Sequence, residues 1–101
     1  MKDNIIELEA LLKTRRDQIL ETAHKHGAFD VRVFGSVARG DARPDSDIDF
    51  LVRLEAGRSL LDLARLLREL QALLGCNVDI VTEAGLRPRI RVQVLREARP
   101  L

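Results

Sequence analysis

The sequence predicts a single α/β (α+β) domain, helices packed against a small sheet, and three observations carry this. Its 101 residues are one domain's worth, enough for one modest core. Helix-period stretches alternate with short β-branched runs in the order helix, strand, strand, helix, strand, helix. Gly, Ser and Asp gather where the period changes, yet no repeat, low-complexity tract or long linker divides residues 1–101.

From Asn4 to Lys25, Ile5, Leu8, Leu12, Ile19 and Ala23 recur at helical spacing, with Asn4 and Glu7 placed as a capping box and Gly27 as the stop. Val31-Arg32-Val33-Phe34 reads as a strand that runs into a Gly35-Ser36 turn. Asp41, Arg43, Pro44, Asp45 and Ser46 supply loop chemistry before the buried strand Ile48–Val52. Ser59 and Asp62 form a second capping box, opening a helix that runs through Leu74 to a stop at Gly75. Leu63, Leu66, Leu67, Leu70 and Leu74 are its buried stripe. Val78–Val81 is a third strand, which a right-handed helical crossover would place in one sheet with the second. The tail is ambiguous: residues 89–94 alternate like an edge strand, while Leu86, Ile90 and Val94 fit a helical face, and helix is preferred.

Composition narrows the function classes. Charged residues are 33% against 46% hydrophobic, ordinary for a folded domain. Seventeen basic residues nearly cancel sixteen acidic ones for a net +1, so no global field favours a nucleic-acid backbone and direct nucleic-acid binding is not expected. Cys76 has no partner for an internal disulfide and is read as a packing residue, in keeping with a reducing compartment. The start Met1-Lys2-Asp3-Asn4 lacks a signal-peptide core, and nothing approaches the roughly 20 apolar residues of a membrane span, so a cytoplasmic location is expected.

The chemistry lies in three carboxylates and one turn. Asp47 and Asp49 are two apart at a strand entrance, so both point to one face, about 6.6 Å apart along the chain. Magnesium uses one or two protein carboxylates plus substrate phosphates, which makes the pair a plausible clamp, and burying it without a cation is costly. Asp79 sits between Val78 and Ile80 and turns away from their face; beside the Asp47 strand it completes a trio suited to two metals, bridging them or serving as base. Gly35-Ser36 offers backbone N–H groups and a hydroxyl to phosphate, with glycine permitting close approach. Arg39, three residues on, can set its guanidinium against phosphate oxygens, and Arg43 is a weaker candidate.

Each feature alone is common and usually structural. Their ordered combination, Val33-Phe34-Gly35-Ser36-Val37-Ala38-Arg39-Gly40-Asp41, then Asp45-Ser46-Asp47-Ile48-Asp49-Phe50-Leu51-Val52, then Val78-Asp79-Ile80-Val81, resembles the nucleotidyltransferase superfamily of DNA polymerase beta type, in its minimal branch. The resemblance spans about Val31 to Val81. It implies a nucleotidyltransferase fold with a small mixed β-sheet. Gly35 and Ser36 would hold the triphosphate of ATP; Asp47, Asp49 and Asp79 would be the catalytic, magnesium-binding acids, with two ions; Arg39 inherits a phosphate role. It further implies an antitoxin that transfers AMP to a tyrosine of a partner HEPN ribonuclease toxin. This chain has no tyrosine, so such an acceptor must come in trans. The alternatives are a non-catalytic binding antitoxin and transfer to a small-molecule hydroxyl, with a homo-oligomer completing the pocket.

Other residues read as bland. His24 and His26 are not on one helical face and suit a helix C-terminus better than a metal. Arg87, Arg89, Arg91, Arg96 and Arg99 form the one local basic bias, read first as a solvated face and second as a docking surface for an acidic partner or an RNA.

Overall fold

The structure is a computed structural model that describes residues 4–43 and 45–101, with side chains in the first helix described from Leu8 onward. The capping box expected at Asn4 and Glu7, the side chain of Ile5, and Pro44 lie outside that range.

The expected single helix from Asn4 to Lys25 is two: α1 (Asn4–Thr14) and α2 (Arg16–Lys25), separated at Arg15 with φ −99° and ψ 7°. The hydrogen-bond ladder still passes through the break, Arg15 N–H donating to the Leu11 carbonyl at 2.9 Å and Ile19 N–H to the Arg15 carbonyl at 2.8 Å. Six polar residues separate Leu12 from Ile19, so no apolar side chain holds the middle turn on the core and the axis is free to change there. At its far end α2 is pinned to a later helix: His26 Nε2 and Lys25 Nζ both contact the Glu69 carboxylate, the latter at 2.9 Å.

Strand β1 (Ala28–Phe34) begins three residues before its β-branched run. The reason is a bulge. Asp30 has φ +52° and the register with β2 (Ile48–Leu54) shifts between Phe29 and Arg32, so Ala28, Val31 and Val33 all face the core although their spacing is not a clean alternation. After the short helix α3 (Gly35–Arg39), β2 runs antiparallel to β1, and β3 (Val78–Thr82) lies parallel to β2. The connection between them is α4 (Leu60–Leu74). Its start is as the sequence predicts: Ser59 Oγ accepts from Leu61 N–H at 3.2 Å while Asp62 Oδ2 accepts from Ser59 N–H at 2.9 Å, and Gly75, at φ +68°, closes the helix.

The tail is helical, α5 (Pro88–Glu97), and is followed by a two-residue strand, β4 (Arg99–Pro100), antiparallel to β1, that sequence periodicity does not reveal. The sheet order is β3-β2-β1-β4, a mixed sheet. One face carries the main core, in which Ile19, Ile48, Phe50 and Leu66 are fully buried. The other carries a small second cluster, Leu51, Leu86 and Val94, with Phe34, Val81 and Ala98 packed against it. Helix α5 thus covers the sheet face opposite to α4. Among the described residues no helix is long and apolar enough to cross a membrane.

Candidate active site

The alternation of β2 sets the site. Ile48, Phe50 and Val52 point into the main core, so Asp49 is forced to the α5 face, where it stands half-buried, with Asp47 exposed just ahead of the strand. The parallel pairing then places Asp79 of β3 directly opposite Asp49, and the antiparallel pairing places Phe34 of β1 opposite it on the other side. One row across the sheet therefore reads Asp79, Asp49, Phe34, and the residue after Phe34 is Gly35. Strand pairing alone delivers the Gly-Ser turn to the acids.

Gly35 has φ +75°, and a Cβ built on it would overlap the Asp49 carboxylate at Oδ2. The missing side chain therefore makes room for an acid of the site, a more specific reason for glycine than access for phosphate. Phe34 at the N-cap of α3 supplies no side-chain oxygen to the first-turn N–H groups, so the turn presents uncapped donors beside the carboxylates. Ser36 anchors the other end of the turn, its carbonyl accepting from the N–H groups of Gly40 and Asp41, each at 3.0 Å.

Crowding shows in the electrostatics. The Asp49 carboxyl is pushed up to about 6, first by partial burial, then by the Asp79 and Asp47 charges, against the opposing pull of Arg39. Three acids thus share one field, which the Arg39 charge only partly offsets. Among the described residues no group of three or more His, Cys, Asp or Glu side chains is placed to hold a metal ion. An open set of carboxylates beside uncapped N–H groups suits a hard divalent ion whose remaining ligands are phosphate oxygens. Asp47 also acts on Cys76, whose thiol is pushed up by burial and then by that charge, and which packs on the core as expected.

The arginines are less free than the sequence implies. Arg39 ends α3 with Nε 3.3 Å from Asp41 Oδ2 and Nη1 3.2 Å from Glu97 Oε1, so it ties α3 to α5 while its charge reaches Asp49. Glu97, 58 residues away in sequence, has no local signal that would have paired it with Arg39. Arg43 contributes through its backbone: its N–H donates to Ser46 Oγ at 2.7 Å and its carbonyl accepts from Ser46 N–H at 2.9 Å, a turn that launches the chain toward Asp47.

Residues 15–101 match the nucleotidyltransferase domain family. The chain belongs to that family. Among its relatives, the protein adenylyltransferase MntA of Thermococcus cleftensis is 41% identical over 91 residues, covering 90% of this chain and 89% of its own. A Methanocaldococcus jannaschii chain described as a protein adenylyltransferase is 42% identical, covering 80% and 87% respectively. A solved structure described as a minimal nucleotidyltransferase superposes with TM-score 0.81 at 62% identity, covering 89% of this nucleotidyltransferase and 92% of that chain. A toxin–antitoxin crystal structure with AMP-PNP shares the fold at TM-score 0.72 and 21% identity, covering 83% and 69%. This chain is accordingly a nucleotidyltransferase enzyme with the mixed-sheet fold of its family.

Proposed function

We propose that residues 1–101 form one catalytic domain that transfers AMP from ATP to a tyrosine hydroxyl of a partner HEPN ribonuclease toxin, and so acts as its cytoplasmic antitoxin. The observation that carries this reading is the row Asp79–Asp49–Phe34 with Gly35 at its end, which sets uncapped N–H groups of the Gly35-Ser36 turn beside paired acids. The relatives named as protein adenylyltransferases support the donor and the acceptor class.

The residues divide the work. First-turn N–H groups at Gly35 and Ser36 receive the triphosphate, and Arg39 adds positive charge at the rim. Asp47, Asp49 and Asp79 would hold two magnesium ions. When bound, these would neutralise the triphosphate and increase the acidity of the attacking hydroxyl. The tyrosine oxygen bonds to the α-phosphorus, the bond to the β-phosphate oxygen breaks, and pyrophosphate leaves. The hydroxyl proton passes to the Asp79 carboxylate, which is exposed at the site's edge. Positioning and charge neutralisation suffice for such a transfer without a covalent enzyme intermediate.

The test is incubation of the chain with ATP labelled at the α-phosphate, magnesium and the HEPN protein. The wild type labels the partner, Asp47→Asn and Asp49→Asn do not, and replacing the modified tyrosine by phenylalanine removes the label. Labelling by both acid variants at the wild-type rate would sink the assignment. Rescue from the toxin by those variants would instead make this a stoichiometric binder, and label on an added small hydroxyl compound alone would make it a small-molecule enzyme.

A further inference from the structure

Helix α5 carries two apolar faces, and only one of them is used. Val94 faces the sheet with Leu51 and Leu86, yet Val92 is 64% exposed and Leu95 37% exposed on the outer side. At 100° per residue Pro88, Val92 and Leu95 lie on one line, and Arg89 and Arg96 lie on the line beside it. An amphipathic surface helix needs only one apolar stripe, so the second is unexplained by this fold. The segment 84–101 holds five arginines and one glutamate, a net +4 in a chain whose total is +1. That glutamate, Glu97, is already engaged by Arg39.

We infer that the outer face of α5, Val92 and Leu95 flanked by Arg89 and Arg96, docks the protein acceptor through an aliphatic patch rimmed by acidic side chains. This rests on the protein-acceptor reading above. Two observations select the occupant. Helix α5 ends at the rim of the site: Glu97 bonds Arg39, and Ala98 packs on the cluster containing Phe34, the neighbour of Asp49 across the sheet. A macromolecule that brings a hydroxyl over Asp49 and Asp79 approaches the sheet face on which α5 stands, and so meets this helix. The composition also favours protein over RNA. The three phenylalanines, Phe29, Phe34 and Phe50, are all outside α5, so the patch has no ring on which a base could stack, whereas exposed aliphatics interleaved with arginine are what a protein interface uses.

The experiment measures binding of the full chain to the purified HEPN protein by calorimetry, with label transfer in parallel. Two double variants are compared with wild type: Val92→Asp with Leu95→Asp, and Arg89→Glu with Arg96→Glu. Affinity for Mg-ATP and the thermal midpoint, which these solvent-facing positions should leave unchanged, report that the fold is intact. The aspartate pair is expected to weaken binding by about 30-fold and the glutamate pair by about 10-fold. KM for the protein acceptor should rise in step while kcat stays within about two-fold. Unchanged affinity in both variants overturns the proposal while leaving the transfer reading intact. Binding without labelling by wild type, lost in the variants, supports the docking face and sinks the transfer reading. No binding by wild type overturns both. Retained HEPN affinity with lost binding to a 20-nucleotide single-stranded RNA, or dissociation of a homodimer by the aspartate pair, assigns the face to a different occupant and overturns the proposal.

Discussion

Asp49 is where stability and the proposed function oppose each other. Its carboxyl, raised to about 6 from an ordinary 3.8, holds a proton in the folded state that the unfolded chain releases near pH 4. Linkage then makes the ligand-free protein lose stability as pH climbs from about 4 to about 6, and the loss persists above 6. The full shift corresponds to about 3 kcal/mol, and solvent screening of a half-exposed group reduces it to about 1 kcal/mol. Asp49→Asn is therefore expected to raise the ligand-free thermal midpoint at pH 7.5 by about 4–8 °C while lowering AMP transfer about 10³-fold or more. A thermal melt at pH 5, where the wild-type residue is largely protonated, should show a smaller gap between the two proteins. At the proposed magnesium site the same proton is expected to weaken metal binding as pH falls through 6, readable as a rise in the magnesium concentration needed for half-maximal transfer. Gly35 supplies the companion test. Gly35→Ala meets both a left-handed backbone at φ +75° and the Asp49 carboxylate, whereas Gly40→Ala meets only the backbone cost at φ +82°, since nothing lies within 4 Å of its added Cβ. Each should cost about 1–2 kcal/mol of stability from the backbone. Only the first should also reduce transfer, by about 100-fold, in an assay normalised to folded protein.

At the scale of elements, α4 shows local chemistry acting alone. Its capping box sits far from the acids along the sheet, so Ser59→Ala should lower stability by about 1 kcal/mol with turnover per folded molecule unchanged. A denaturant melt and an activity assay on the same sample check it. Helix α5 is the contrasting case. Three buried residues, Leu51, Leu86 and Val94, hold it, together with the partly exposed pairs Arg39–Glu97 and Arg91–Glu83. Exposed ion pairs contribute little, so amide hydrogen exchange should be faster through α5 than through α4, whose Leu66, Leu70 and Leu74 are buried in the main core. A helix that docks an acceptor can tolerate this, because the partner's contacts would add what the small cluster lacks.

The whole molecule is a sheet with unequal layers. The large layer, α1, α2 and α4, supplies most of the apolar burial, and the small layer, α5, shares its side with the acids. Leu66→Ala, fully buried in the large layer, should cost about 2–5 kcal/mol and be read first as lost soluble protein. Asp49 and Asp79, the strand carboxylates proposed to be catalytic, are thereby carried on strands whose other face packs on the main core, which would keep their spacing fixed while the acceptor side stays open.

Much of this was determined by the sequence alone. Ser59, Asp62 and Gly75 mark the ends of α4 because capping is decided within three or four residues. Asp49 turns away from the core because Ile48 and Phe50 turn toward it, and Gly35-Ser36 marks the turn after β1. What only the tertiary structure decided is every relation that spans the chain. The pairing of Asp49 with Asp79, thirty residues apart, depends on how α4 returns the strand, and the Arg39–Glu97 bond on where α5 lands. The bulge at Asp30 hid the start of β1 because an inserted residue breaks the two-residue period by which a strand is recognised. The break at Arg15 shows the same division: the sequence shows six polar residues between Leu12 and Ile19, but only the packing of the two halves shows that the axis changes there.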